Sequence, residues 1–264
     1  MQYLENNNKP FTGQHAYRRH HSTTTCLVEI TEFLHKNMDQ GRVNGITSMD
    51  LSKAFDSVSH NLLIQKLSFL GFAGSSLEWI GSYLSGRTQQ VKFQNHLSEV
   101  REVGAGVPQG SILGPILFIA FTADMAEHLH GFLIKAYADD TQILVDGKNT
   151  SEVKQKLQKA IAIAQQWFKN NSLQINPTKT EIIIVGNQKF TTTNLSIDIE
   201  EKGKLIKIAP STHIKILGVT IDNMFTWKRH IRQLKGKVVN TVRHLARSSR
   251  VLTCLCVRTW VTPT

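Results

Sequence analysis

A chain of 264 residues, of which 41% are hydrophobic and 8% aromatic, can bury a core in one or two domains, which excludes a disordered protein. Three cysteines (Cys26, Cys254 and Cys256) without Cys-x-x-Cys or Cys/His spacing exclude a disulfide framework and the usual zinc patterns. The net charge of +11 comes mainly from the end of the chain. Nine basic residues and no acid follow Asp222, whereas the 22 basic residues before that point nearly balance 20 acids. The basic end therefore predicts a polyanionic partner, nucleic acid ahead of an anionic membrane surface.

Helices around one short strand are predicted for the first part of the chain. Residues 22–40 have apolar residues at spacings of three and four, which predicts a helix. Gly41 and Gly45 are expected to bracket a break, and "ITSMDLS" predicts a strand that ends in Asp50. Two further helices are predicted at "SHNLLIQKLSFLGF" and "SSLEWIGSYLSG", and the alternation around "QNH" predicts a hairpin.

The second half mixes strands with helices. A glycine-rich turn leads into a buried helix in "GVPQGSILGPILFIAFTADMAEHL", and "GFLIKAYADDTQILVDG" predicts strand, turn and strand. An amphipathic helix follows, with the inward residues Val153, Leu157, Ile161, Ala164 and Phe168. "EIIIVG" and "IKILGVTID" predict strands. The order predicts an α+β fold with a largely antiparallel sheet.

A basic helix is predicted from near Trp227. Its apolar residues recur at helical spacing, so we expect this face to be docked against the core and the cations to face outward; the stripe consists of Ile231, Leu234, Val238, Val242 and Leu245. The amino terminus has no signal-peptide pattern, and the longest apolar stretch is interrupted by Pro115. We therefore expect an intracellular protein, cytoplasmic or nuclear, that is not secreted and has no transmembrane segment.

Two adjacent carboxylates, Asp139 and Asp140, lie between apolar runs. A solvated hairpin tip is the simpler interpretation. A glycosidase pair is a poor fit, because its two carboxylates must lie apart across a bond. A hard divalent cation such as Mg²⁺ would offset the repulsion. With Asp50 at another strand end, three carboxylates could hold two ions about 3.5–4 Å apart.

Several blocks occur in a fixed order: "QHAYRRHHSTTT", "MDLSKAFDSVSHNLLIQKL", "SYLSGRTQQVKF", "GVPQGSILGPILF", "AYADDTQIL", "NNSLQINPTKTEIIIVG" and "IKILGVTIDNMFTWKRHI". The series resembles the reverse transcriptase domain of non-LTR (LINE-like) retrotransposons, nearest to the jockey-like group, over roughly residues 14 to 250. The resemblance implies a right-hand polymerase palm, an antiparallel sheet packed on helices, with partial fingers and the start of a thumb. Its implied boundaries are partial fingers at 1–45, palm at 46–222 with fingers elements inserted around 57–105, and a basic helical start of the thumb or connection at 223–264.

The resemblance also implies metal-binding and catalytic roles. Asp50, Asp139 and Asp140 match the ligands of two Mg²⁺ (or Mn²⁺) ions, Asp140 being the less essential. Lys179 matches a lysine that would protonate the departing pyrophosphate. The implied partners are an RNA template, a DNA primer and deoxynucleoside triphosphates, with no membrane; the sequence does not indicate an oligomeric state.

Nucleotide-binding residues follow from the same resemblance. Phe55 matches the steric gate against a 2′-hydroxyl. Gln109, beside Gly110, matches a residue next to the incoming nucleotide, and Gly106 and Gly110 permit close backbone approach. Arg18 and Arg19 match triphosphate contacts.

Two acids near these residues have structural interpretations. Asp56 is expected to cap the helix that begins near Val58, and Asp124 is expected to be structural.

Three functions stay open at this point. The first is an active RNA-directed DNA polymerase domain. The second is a truncated remnant that folds and binds nucleic acid without polymerising, since an expected first fingers block is absent before Gln14. The third, a viral RNA-dependent RNA polymerase, is disfavoured by Phe55, because those enzymes usually carry an acidic residue near that position.

Overall fold

A central four-stranded antiparallel sheet organises the protein. The computed structural model describes residues 11–186, 195–201 and 203–259. The strands lie in the order β6 (Leu133–Tyr137), β7 (Asp140–Gly147), β1 (Val43–Met49) and β8 (Glu181–Val185). Met49 pairs with Thr141, which brings the end of β1 beside the β6–β7 turn. The register thus places both predicted carboxylate positions at one edge of the sheet.

Both faces of this sheet are buried, in keeping with the alternation of side chains along each strand. One face packs on α6 (Thr150–Asn170) and on a group of helices, namely α2 (His60–Phe69), α3 (Ser75–Leu84), α4 (Leu113–Thr122) and α5 (Met125–His128). The other face packs on α1 (Thr23–Asp39) and on a hairpin of β11 (His213–Ile216) and β12 (Val219–Asp222). Adjacent residues of β8 show the alternation, since Ile182 joins the first cluster and Ile183 the second.

Most predicted elements are confirmed. Ser22 caps α1 through a reciprocal pair of hydrogen bonds with Thr25, and all five residues predicted to face inward on α6 are buried. The "QNH" hairpin is formed by β3 (Lys92–Phe93) and β4 (His96–Leu97), flanked by the pair β2 (Thr88–Gln89) and β5 (Arg101–Glu102).

Two predictions about strands were wrong. Gly45 does not bracket a break but lies inside β1, where a Cβ atom would meet the side chains of Val153 and Leu157 on α6. "IKILGVTID" is not one strand, because Leu217 and Gly218 both adopt positive φ and reverse the chain between β11 and β12. A further hairpin was not predicted, that of β9 (Ile197–Glu201) and β10 (Lys204–Ile208).

The basic helix α7 (Lys228–Thr259) begins where expected, but the prediction that it is docked was wrong. Its stripe is exposed, with Ile231 at 61%, Val238 at 60% and Leu245 at 65% of full accessibility. Among the described contacts, the helix is joined to the rest of the fold only near its start, where Thr220 Oγ1 donates to Gln233 Oε1 at 2.8 Å. Within the described ranges, no helix has the length and apolarity needed to cross a membrane.

Candidate active site

The β6–β7 turn carries Asp139, and Asp140 begins β7. Tyr137 pairs with Asp140, so the connection consists of two residues, Ala138 and Asp139. Ala138 has a φ of +58°, which is the backbone that such tight hairpins require. The segment before α1 lies against this hairpin, because Ala136 N donates to Gly13 O at 2.8 Å.

Asp50 follows the last residue of β1 and is held by the loop that precedes β8. Asn176 N donates to Asp50 O at 2.9 Å, and Ser52 N donates to Gln174 O at 2.9 Å. The same loop brings the Lys179 ammonium to 3.3 Å from Asp50 Oδ2. Because Lys179 is largely exposed, this ion pair is weak and the ammonium is free to take another partner.

Six of the predicted residues open on one cleft of about 430 Å³; they are Asp50, Phe55, Gln109, Gly110, Asp139 and Lys179. Tyr17 and Lys53 line the same cleft, and neither was predicted. Their one sequence signal is proximity, since Tyr17 precedes the predicted arginine pair and Lys53 lies between the predicted residues Asp50 and Phe55. Both adopt positive φ, which no sequence pattern announced.

Asp140 lies beside the cleft, and its carboxyl group interacts with the carboxylates of Asp50 and Asp139 that line the cleft. Its side chain is exposed at one edge, but local desolvation of the carboxyl raises its pKa, and the Asp139 and Asp50 carboxylates raise the pKa further. The three carboxylates are therefore close enough to repel one another. Within the part of the chain that the structure describes, no three His, Cys, Asp or Glu side chains are placed so that together they could hold a metal ion. The site offers carboxylate oxygen atoms, the type of ligand that Mg²⁺ prefers, without a complete set of protein ligands.

Phe55 forms one wall of the cleft and is itself fixed by the core. Its ring stacks on that of fully buried Phe118, with centroids 4.4 Å apart and an interplanar angle of 21°. Its carbonyl oxygen accepts from Val107 N at 2.8 Å, which ties it to the glycine-rich loop. The position of the ring is thus set by contacts behind the cleft.

Gln109 reaches the cleft from that glycine-rich loop. Gly106 lies so close to the segment that carries Phe55 and Asp56 that a Cβ atom on Gly106 would be 2.9 Å from the backbone of Asp56. Gln109 Nε2 then donates to Asp56 Oδ1 at 2.9 Å. The expectation that Asp56 caps a helix was therefore wrong. Ser59 caps α2, and a short 3₁₀ turn occupies Phe55–Ser57.

The two predicted arginines lie outside the set of residues that line the cleft. The Arg18 guanidinium donates to Phe11 O at 2.8 Å and to Gln14 O at 3.0 Å, so it helps to shape its own loop. Arg19 is exposed. Asp124 forms an ion pair of 2.7 Å with Lys66, which joins α2 to the residue before α5.

The sequence was compared with known proteins. Residues 2–221 match the family described as reverse transcriptase (RNA-dependent DNA polymerase). The RNA-directed DNA polymerase from mobile element jockey of Drosophila melanogaster is 31% identical over 84% of this chain and 24% of its own length. The probable RNA-directed DNA polymerase from transposon BS of the same species is 33% identical over 88% of this chain and 26% of its own length. The chain thus spans about a quarter of these relatives.

The fold was compared with solved structures as well. Apo telomerase from Candida tropicalis, truncated from its C-terminal domain, matches with a TM-score of 0.57 at 15% identity. The match covers 85% of this chain and 42% of the telomerase chain. At 15% identity the match shows only that the two chains share a fold, which is that of a right-hand polymerase. The family match and the order of the cleft residues lead to one conclusion: the chain belongs to the reverse transcriptase family, with jockey-like non-LTR retrotransposon polymerases among its relatives.

Proposed function

We propose that this domain copies an RNA template into DNA by adding deoxynucleotides to a primer 3′-hydroxyl. One observation carries the proposal: Asp50 and Asp139, from the ends of different strands, open on the cleft that Phe55 and Gln109 also line. An aromatic wall, an amide and two carboxylates that could bind divalent cations suit a nucleoside triphosphate, whose phosphates those cations would also bind, better than they suit a small neutral substrate. The family match supports the same reaction.

The donor set supports two divalent cations, Mg²⁺ or Mn²⁺, held by Asp50, Asp139 and Asp140. Three mutually repelling carboxylates with open coordination are the ligands expected for cations that also bind substrate phosphates. When bound, the cations would supply activation of the primer hydroxyl and neutralisation of the phosphate charge.

The surrounding residues would then divide the remaining work. A bond forms between the primer 3′-oxygen and the α-phosphorus while the bond from that phosphorus to the pyrophosphate oxygen breaks. The hydroxyl proton passes to solvent, and Lys179 donates a proton to the leaving pyrophosphate. Lys179 stands 3.3 Å from Asp50 and is largely exposed, so it can reach a leaving group beside that carboxylate.

We assign the selection of nucleotides to the residues that form the walls of the cleft. Phe55 would exclude a 2′-hydroxyl, and its stacking on Phe118 gives the ring a rigid backing. Gln109 and Gly110 would lie beside the incoming nucleotide. Arg19, being exposed, is the arginine that we assign to the triphosphate, whereas the backbone bonds of Arg18 favour an indirect role through the loop.

The nucleic acid partners follow from charge and family. We propose that the RNA template and DNA primer run along the basic helix α7, within a thumb or connection that begins at 223–264. The partial fingers would be 1–45, with further fingers elements around 57–105, and the palm 46–222. Contacts of this kind give affinity that is independent of sequence and weakens with salt.

Primer extension tests the proposal. The protein is incubated with a poly(A) template, an oligo(dT) primer and dTTP in Mg²⁺ or Mn²⁺, and Asp139→Asn serves as the matched control. We expect extension by the wild-type protein and its loss in the control, with circular dichroism showing both to be folded. Equal absence of extension in both folded proteins would favour the remnant that binds nucleic acid without polymerising.

A further inference from the structure

Gln14 lies in the loop that precedes α1 and is only 7% exposed. Its side-chain oxygen accepts from Ala138 N at 3.0 Å and from Ala16 N at 2.9 Å. Its side-chain nitrogen donates to Ala138 O at 3.3 Å. One glutamine thus pairs with both backbone groups of the residue that immediately precedes Asp139.

The residue that Gln14 holds has an unfavourable backbone conformation. Ala138 is the first of the two turn residues between β6 and β7 and has a φ of +58°. Glycine is the usual residue there, because a Cβ atom makes this conformation costly. A backbone strained in this way persists only when surrounding contacts fix it. The two-way hydrogen bond from Gln14 is such a contact, and the bond from Ala136 N to Gly13 O adds to it.

We propose that Gln14 is a positioning residue: it holds the Ala138–Asp139 turn so that the Asp139 carboxylate faces the cleft. The same loop carries Tyr17, which lines that cleft, so Gln14 also fixes the distance between this wall and the carboxylate. The consequence for catalysis rests on the proposed function, whereas the holding of the turn does not. Gln14 touches no reacting group, and its effect passes through the backbone.

Gln158 provides a matched control elsewhere in the fold. Its side-chain nitrogen donates to Asp198 O at 2.7 Å, and its oxygen accepts from Asp198 N at 3.0 Å. The pattern is the same two-way pairing of a glutamine with one backbone residue, but it joins α6 to β9 and does not line the cleft. A general loss of packing or hydrogen bonding would therefore affect both glutamine variants alike.

Three readouts are measured on the full chain. Hydrogen–deuterium exchange of peptides that cover residues 136–141 reports the turn directly. Mn²⁺ binding, followed by electron paramagnetic resonance without nucleotide, reports the carboxylates. Primer extension separates kcat from KM. The variants are Gln14→Met, which keeps the volume without the hydrogen bonds, Gln14→Glu, which keeps the accepting oxygen, Ala138→Gly, and Gln158→Met.

For Gln14→Met we expect at least 10-fold faster exchange in 136–141, several-fold weaker Mn²⁺ binding, and a lower kcat with little change in KM for the template–primer. Gln14→Glu should be intermediate. Ala138→Gly removes the strain, so adding it to Gln14→Met should recover most of the Mn²⁺ affinity and kcat. Gln158→Met should leave exchange in 136–141 and Mn²⁺ binding unchanged.

The inference is overturned if Gln14→Met changes exchange in 136–141 no more than Gln158→Met does. It is equally overturned if Ala138→Gly gives no recovery of Mn²⁺ binding in the double variant. If Gln14→Met does not fold, Gln14→Glu and its combination with Ala138→Gly give the same comparison. A wild-type protein without polymerase activity would count against the proposed function, while the exchange data would still decide the role of Gln14.

Discussion

Gly45 is a position at which one added methyl group should disturb the packing between the central sheet and α6. It lies in the central strand β1, five residues before Asp50, and α6 packs directly over it. In Gly45→Ala the new Cβ atom would lie 2.6 Å from Val153 Cγ1 and 2.8 Å from Leu157 Cδ1. Carbon atoms in contact prefer about 3.5–4.0 Å, so α6 or its side chains must shift by roughly 1 Å.

The cost follows from the burial of both neighbours. Val153 and Leu157 are fully buried, so they cannot swing into solvent, and overpacking of this kind costs about 1–3 kcal/mol. The alanine also restricts the unfolded chain, which returns about 0.4–1 kcal/mol. We therefore expect a net loss of about 1–2 kcal/mol in the free energy of unfolding. For a chain of this size that loss corresponds to a fall in Tm of roughly 2–8 °C.

Urea denaturation with unchanged m value is the appropriate assay, because the midpoint then reports stability alone. Gly81→Ala in α3 is the matched control. Apart from the neighbouring backbone of its own helix, no atom lies within 4 Å of the point that its new methyl group would occupy, so it should stabilise the helix by about 0.5–1 kcal/mol. Val153→Ala should make room for the methyl group that Gly45→Ala adds, so the two changes together should cost less than their sum. Strict additivity, or a Gly45→Ala protein as stable as wild type, would refute the packing argument.

Three further predictions concern the site and the basic helix. Phe55→Val should lower the preference for deoxynucleotides over ribonucleotides roughly 10-fold or more, about 1.4 kcal/mol in activation free energy; ratios of kcat/KM measure it, and Phe55→Tyr should keep the preference. Asp140→Asn should raise the free energy of unfolding by less than about 1 kcal/mol in urea titrations at pH 7, since exposed charges are screened. The raised pKa of Asp140 means that its carboxylate destabilises the fold above that pKa, so the advantage of the variant should vanish as the pH falls through it. Replacing three cations of α7 by glutamine should make the salt dependence of nucleic acid binding shallower by about 0.7–0.9 per lost phosphate contact, measured by fluorescence anisotropy; an unchanged slope would place the contacts elsewhere. The three cations to be replaced are Arg232, Lys235 and Arg243.

The carboxylate site could be predicted because its geometry depends on local rules. Asp50 and Asp139 each follow the end of an apolar strand. Because β7 lies between β6 and β1 and pairs antiparallel with both, β6 and β1 run in the same direction and end at the same edge of the sheet. Tyr17 escaped prediction because its approach to the cleft depends on a positive φ and on the pairing of its loop with β6. The hairpin of β9 and β10 was missed because most of β10 is exposed, so it lacks the apolar alternation that marks a half-buried strand.

The exposed stripe of α7 shows a different limit of sequence reading. Helical periodicity says that one face of a helix is apolar, but it does not say which surface covers that face. Within the described residues, α7 leaves the core after its contact with β12, so no part of the fold covers Ile231, Val238 and Leu245 there. Periodicity is thus a statement about the helix alone, whereas docking depends on the rest of the fold.

The cleft is built from segments far apart in sequence that are joined in pairs by backbone hydrogen bonds. The segment at 13–15 is bonded to β6, the segment at 50–52 to that at 174–176, and the segment at 55–58 to that at 106–107. These bonds do not depend on the side chains that face the cleft. Replacing Asp139 or Lys179 should therefore alter chemistry and leave the fold intact. Replacing Gly106, whose missing Cβ permits one of these approaches, should instead displace Gln109 and Phe55 together.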